Sequence, residues 1–498
     1  MDVAPARTLD PRRWRALTVL IMGQFCALLD VSVTNVALPS IARSTGAGPS
    51  ELQWIVSGYV LAFALMPVIG GRLGDTRGRR RVFIIGLTGF VVASAAVGLS
   101  PAPLFLIVAR VIQGMFGGLL GPQVSGYIQN AFRHEERGRA FARLGIAVGV
   151  ATALGPVIGG LLIGLGGPEF GWRLVFFINV PIGVTAIILS LMWVRELEPT
   201  GARMKLDVPG ALLLGGTILC VLFPIVEINE FHTGWLFLLF IPGGLLLWAF
   251  LRREARLTIL EASPLLDLRL FRVPTFTTGV AFAVVFFCSN TGLPLLLSLY
   301  YQEGLGFTAL ESGLGVTAFA VGFAVGSPVA GRFIARVGRP LVVGAVSLFF
   351  VATVLIGLVV HLSSGVTDPA TVIVRLVIPL LLLGLAGGAI VTPNQTLTLA
   401  DVDPIIGGAA GGVLQTAQRT GSSIGQTVIG TLFFVTSAGV ATSQLAGEPA
   451  TDPAAFARAL EVGVLGSLVF SGAAFVLGVI DLRRQHNRTL DTVVAPLD

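Results

Sequence analysis

The chain has 498 residues, 54% of them hydrophobic and 12% charged, with a formal net charge of +6. Soluble domains run about 25% charged, so a mean hydropathy of +0.87 over the whole length excludes an ordinary soluble enzyme and a protein with a single anchor. The composition calls for many spanning helices, and Lys205 is the one lysine among 33 basic residues.

Residues 1–15 form a basic arm. The apolar run behind it, 16–39, exceeds a signal-peptide core and has no small-residue cleavage pattern, so it reads as a first span. Inside it, LLDVSVTNVALP carries Asp30, a carboxylate deep in an otherwise apolar segment. An ionised acid in a bilayer is costly, and the default expectation is a functional site facing a water-filled cavity. Further runs of about 20 residues fall near 52–73, 82–99, 104–128, 142–165, 173–194, 208–226, 235–251, 274–300, 310–331, 341–361, 372–397, 409–437 and 460–482. They make fourteen predicted spans. One face then collects 27 Lys and Arg, the other three (Arg43, Arg173, Arg458), and Arg110, Arg375 and Arg419 remain inside spans. The positive-inside rule places both termini in the cytoplasm. Carboxylates gather on the outer face, as solvated loop charge or as a vestibule that attracts cations.

The loop GGRLGDTRGRRR joins the second and third spans. Gly74 and Gly78 allow a tight turn, and Asp75 stands among Arg72, Arg77, Arg79, Arg80 and Arg81. Positive-inside bias explains the arginines but not an acid between two glycines, which is expected to cap the next helix or pair with arginine. A weaker copy, AGRFIARVGRP, follows the tenth predicted span with Ala335 at the place of the acid. An internal repeat of this kind is a transporter architecture with its site between two halves. Gly71, Leu73, Asp75, Gly78, Arg79 and Arg80 resemble the signature loop of the major facilitator superfamily, with Thr76 departing from its usual basic residue.

Arg110, in ARVIQGMFGG, lies about six residues from the outer end of the fourth span, roughly 9 Å at 1.5 Å per residue. Asp30 lies roughly 13 Å from the outer end of the first by the same rise. The two charges match in depth. Arg110 either snorkels to the outer headgroups or lines a cavity and pairs with Asp30. Arg110, Gln113 and Gly114 also resemble the superfamily motif associated with proton transfer. In the fifth span, Gly145 and Gly149, then Gly155 and Gly159, are small residues four apart that permit close helix packing, and Pro156 bends the helix. The ending GPVIGG, residues Gly155 to Gly160, resembles the motif that marks proton-coupled exporters. With LLDVSVTNVALP, WRLVFFINVPIG and PLLDLRLFR it looks like the fourteen-helix drug/proton antiporter subfamily.

That resemblance implies an all-α membrane protein with the major facilitator fold. A six-helix bundle over 16–194 precedes a linker, 195–272, with an inserted hairpin, and a second bundle spans 273–482 before a cytoplasmic tail, 483–498. It implies a proton-coupled exporter of small amphipathic compounds in a bacterial inner membrane, with Asp30 and Arg110 coupling the proton and Gly71, Asp75, Gly78, Arg79 and Arg80 forming a cytoplasmic gate. Gln24, Asn35, Gln113, Asn290, Gln415 and Arg419 are further polar candidates to line the cavity; interhelical hydrogen bonding is the competing role for the amides, and Arg419 is expected either against a helix C-terminus or on an anionic group. The expected partners are protons, a small molecule and the bilayer, with no nucleic acid; the expected state is a monomer, and nothing calls for a cofactor or a metal. A nutrient importer of the same fold, or a polytopic membrane enzyme, is the competing reading. The enzyme would need a His/Asp, Ser/His or metal constellation at one membrane face, and none is visible in the sequence. With a single deep acid, the simplest cycle moves one proton per turnover, an electroneutral exchange if the cargo is a monovalent cation.

Overall fold

A computed structural model describes residues 10–196, 207–231, 234–260, 264–363, 366, 368–445 and 453–494. The described chain is helical almost throughout, because a bilayer offers no water to satisfy backbone N–H and C=O groups and each must be paired within the segment. The first half holds α1 (Arg13–Thr45), α2 (Pro49–Arg77), α3 (Arg79–Gly98), α4 (Pro103–Gly118), α5 (Leu120–Ala131), α6 (His134–Phe177) and α7 (Asn179–Trp193). A hairpin of α8 (Val208–Phe231) and α9 (Phe240–Ile259) follows. The second half holds α10 (Pro274–Leu299), α11 (Ala309–Val337), α12 (Arg339–Leu362), α13 (Pro369–Thr398), α14 (Gly407–Leu445) and α15 (Pro453–Val494).

Among the described residues, 11 helices are long and apolar enough to cross a membrane, or 12 if the bent α6 is one span. That set counts α8 only as a shorter apolar stretch, Val208–Pro224, and omits α14. The expected break between the spans at 142–165 and 173–194 falls within α6, at Gly167, which leaves the helical conformation with φ +73°, a left-handed conformation that glycine adopts without a steric penalty; beyond it Glu169–Trp193 is a span of its own. Within α6, His134–Thr152 and Val157–Gly167 meet at 41°, a bend that brackets Gly155 and Pro156. The side chains of Asn35 and Pro156 lie outside the described set, as do most of the arm and the last residues of the tail.

The apolar core around Phe83 and Phe90 of the first half continues across the seam into Phe276, Leu399 and Leu414 of the second; Trp172 centres a smaller cluster in the first half, and Phe286, Phe349 and Tyr301 a large one in the second. The repeated loops occupy matching places: α2 turns into α3 at Gly78 and α11 into α12 at Gly338, both with positive φ. Where the second copy lacks the acid, α15 supplies one, and Arg339 pairs with Asp481. The hairpin packs α8 against α2 and α14, while Leu238, Ile241, Leu245 and Trp248 stay exposed along its outer side. At its base Arg253 grips Asp207 with three hydrogen bonds, at 3.1, 2.9 and 2.8 Å. Burial pushes the Asp207 carboxyl up, but the Arg253 bonds and the Gly210 N–H outweigh it and hold the group below its usual range.

The halves meet at the Asp75 end. There α6 lies on α11, and α2 and α5 lie on α14. Beyond its bend, α6 leaves α11 and returns to α1 of its own half, with Gly159 against Val33. At the Asp75 end the contact is backbone on backbone: a side chain at Gly71 would overlap the Gly408 carbonyl, which belongs to a helix and cannot yield as a flexible side chain would. Overpacking of this kind costs about 1–3 kcal/mol. Gly71→Val is therefore expected to cut transport roughly tenfold and to lengthen the distance between spin labels at Arg77 and Ile405. An unchanged label distance would refute a close seam at Gly71.

Candidate functional site

Asp30 lies in the middle of α1 and is 1% exposed. The expectation that it faces a water-filled cavity is overturned, because the packed interior of the first half encloses it. Its Oδ2 pairs with Arg110 Nη1 from α4. Its Oδ1 accepts from Gln113 Nε2 and from Asn179 Nδ2, each at 2.9 Å. Arg110 is also 1% exposed, which rules out snorkelling to the headgroups in this structure. Its Nη1 donates to Gln113 Oε1 at 2.8 Å and its Nε to the Ile55 carbonyl at 3.1 Å. The guanidinium carbon stands 4.1 Å from the centre of the Tyr59 ring, a cation–π contact in a desolvated setting.

The second tier comes from residues the sequence reading passed over. Asn179 opens α7 and donates to Ser94 Oγ of α3 at 3.1 Å, and Ser94 donates to the Phe176 carbonyl at 2.9 Å. Residues of α4 and α7 therefore meet the carboxylate directly, and α2, α3 and α6 join the network through them. A buried pair is tolerated only when its remaining lone pairs and protons are matched, and here both carboxylate oxygens have partners. Asn179 was detectable as a lone amide in an apolar span inside WRLVFFINVPIG, a motif that drew notice only as a whole.

The Asp75 loop does something different from capping its own next helix. Asp75 pairs with Arg79 at 2.5 Å and reaches across the seam, accepting from Gly408 N at 3.1 Å and Ala409 N at 2.9 Å. It thus caps the N-terminus of α14, where unpaired N–H groups and the helix dipole favour an anion. Around it, Asn130 Nδ2 donates to the Pro404 carbonyl at 2.9 Å, Arg79 to the same oxygen at 3.3 Å, and Gln129 Nε2 to the Gly407 carbonyl at 3.2 Å. Gln129 and Asn130 were not singled out from sequence. Arg80 points away from this lock and donates to the Leu191 carbonyl at 2.7 Å. Gly74 stays inside α2 rather than forming the turn, and its missing side chain makes room for Gln123; Gly78, at φ +96°, is the turn itself.

The glycines of α6 serve two partners. Gly145 and Gly149 meet α11 of the other half, at Ser327 and at Ala320 and Ala324, whereas Gly155 and Gly159 meet α1 at Ser32 and Val33. Gly160 has open space beside it. Among the polar candidates, Gln113 belongs to the Asp30 network rather than to a cavity wall. Gln24 and Asn290 are buried with an unpaired side-chain oxygen each. Gln415 crosses the seam and donates to Ser125 Oγ at 3.2 Å. Arg419 stands over Phe63 of the first half, its guanidinium carbon 4.6 Å from the ring centre.

Two helical bundles, locked at one end and holding a buried acid–base pair in one of them, have the build of a secondary transporter with its site between halves. The chain belongs to the Major Facilitator Superfamily, a family of transporters, whose family model matches residues 20–426. It is 36% identical over 426 residues to a protein described as a probable actinorhodin transporter of Streptomyces coelicolor, covering 85% of this chain and 73% of that one. It is 34% identical over 432 residues to a tetracenomycin C resistance and export protein of Streptomyces glaucescens, covering 86% and 77%. In fold it is similar to the human organic anion transporter MFSD10, with a TM-score of 0.62 at 16% identity, covering 93% of this chain and 100% of that one. At that identity the likeness speaks for the fold alone.

Proposed function

We propose that the protein is a proton-coupled exporter of small amphipathic compounds, of the fourteen-helix antiporter type, working as a monomer in a bacterial inner membrane with both termini cytoplasmic. The relatives named for antibiotic export and resistance support export over nutrient uptake. The arginine distribution supports the orientation, with the Asp75 end as the cytoplasmic one. In that frame the conformation is closed to the cytoplasm and parts toward the outside.

The observation that carries the coupling reading is the saturated Asp30–Arg110 pair. Protonating Asp30 removes the negative charge that Arg110, Gln113 and Asn179 all address. Arg110 is then an unpaired buried cation against Tyr59, a state the fold relieves by rearranging α1, α2 and α4. In this conformation the acid is sealed, so proton entry requires the α1–α4 packing to loosen. One such acid supports one proton per cycle. The test is the sign of coupled transport in everted proteoliposomes, whose lumen touches the outer face. With an acidic lumen, an exchanger accumulates substrate inside while a symporter drives it out. Accumulation of ethidium or of anthracene-2-carboxylate is expected; expulsion of both would overturn export, and indifference to the pH gradient would overturn the coupling.

A further inference from the structure

Arg419 is a cation that the Asp30 cycle does not use. It lies on the face of α14 that meets the first half: Gly408 and Gly412 of that face touch Gly71 and Pro67 of α2, and Gln415 touches Gly121 of α5. Arg419 comes one turn later, over Phe63, and two turns further on Gln426 is exposed. Among the described residues it makes no ion pair and donates no hydrogen bond, although a guanidinium offers five N–H donors. Its neighbours on the helix share the deficit. Thr416 Oγ1, one turn before it, and Gln418 Nε2, beside it, are buried without a partner. All three groups can donate; Arg419 is half-buried, and leaving the two buried donors unmade costs free energy. What the locus lacks is an acceptor, and the ring of Phe63 offers an apolar face next to it.

We propose that Arg419 forms the anion-recognising part of the substrate site, taking a carboxylate or phenolate on a planar aromatic compound whose ring system lies against Phe63. The proposal rests on the exporter reading above and narrows its cargo. It also joins cargo to proton, because Phe63 stacks on Tyr59 at 5.8 Å between ring centres and Tyr59 carries Arg110 on its ring at 4.1 Å. An anion at Arg419 and the proton at Asp30 are thus two aromatic rings apart. Moving a monovalent anion out while one proton comes in carries two charges in the same direction, so such transport responds to membrane potential, unlike the electroneutral exchange of a monovalent cation.

The experiment measures equilibrium binding to the purified wild type of three fluorescent probes: anthracene-2-carboxylate, its neutral carboxamide, and ethidium. Binding of the carboxylate at least tenfold tighter than the carboxamide is expected, with a tenfold or greater loss in Arg419→Gln, a smaller loss in Arg419→Lys, and ethidium unaffected or tighter in both. Equal affinity for carboxylate and carboxamide in the wild type overturns the proposal, even if Arg419→Gln fails to fold. A carboxylate affinity unchanged in a folded Arg419→Gln overturns it as well. Binding does not depend on proton coupling, so its failure beside intact pH-driven ethidium efflux rejects the anion site alone. Anion binding without pH-driven transport leaves this site standing and rejects the proton coupling.

Discussion

Asp30→Asn is expected to abolish proton-driven efflux and, in the same protein, to lower thermal stability. The two effects have separate causes. Transport fails because an amide cannot bind and release the proton. Stability falls because Arg110 keeps its charge in a site where it is 1% exposed and now faces no counter-ion. Removing one member of a buried ion pair costs roughly 3–5 kcal/mol, much of it the penalty of the partner left behind. The double variant Asp30→Asn with Arg110→Gln is therefore expected to regain most of the lost stability while efflux stays absent. Melting curves in detergent and pH-driven efflux in vesicles read the two quantities independently. Retained pH-driven efflux in Asp30→Asn would remove Asp30 from the coupling role, and a double variant no more stable than the single one would refute the unpaired-charge account. Asn179→Ala offers an intermediate case: it takes away one of three donors to the carboxylate and is expected to shift the pH profile of efflux while leaving transport measurable.

Asp75→Asn is the second large effect. The carboxylate links a buried arginine of its own loop to two backbone N–H groups of the opposite half. Hydrogen bonds to charged groups are worth roughly 1.5–3 kcal/mol each, and losing about that much from one of two conformations moves their ratio roughly ten- to a hundredfold. The closed end opens, and turnover falls because the cycle stalls on one side. Spin labels at Arg77 and Ile405 should report a longer, broader distance distribution, and wild-type distances in Asp75→Asn would show that the lock does not set this equilibrium. Protein yield is expected to change little, since the substitution leaves the apolar clusters untouched.

The class of the protein was legible because bilayer physics leaves few options. Apolar runs of spanning length must be helices, the arginines mark one face, and a charge inside such a run is expensive enough to signal purpose. Asp30 and Arg110 were matched from helix rise alone, since depth is linear in residue number and the membrane supplies a common origin. The same arithmetic says nothing about azimuth. Whether Asp30 looks into a cavity or into the bundle depends on which face of α1 meets α4 and α7, and that packing put it inside.

Azimuth and partnership are thus what only the tertiary structure decided. The sequence of GPVIGG and its preceding glycines determined that α6 approaches other helices closely, because small residues four apart clear one face. It did not determine that Gly145 and Gly149 meet the opposite half while Gly155 and Gly159 meet α1. That division comes from the 41° bend between the two pairs. Likewise the acid in the Asp75 loop was plain, but its partners, two backbone N–H groups more than 300 residues away, carry no side-chain signature. Composition and periodicity determined that the chain is a many-span membrane protein and where its rare charges fall, since these are one-dimensional quantities. Contacts across the seam arise only once two halves pack, and their backbone donors look alike in any sequence.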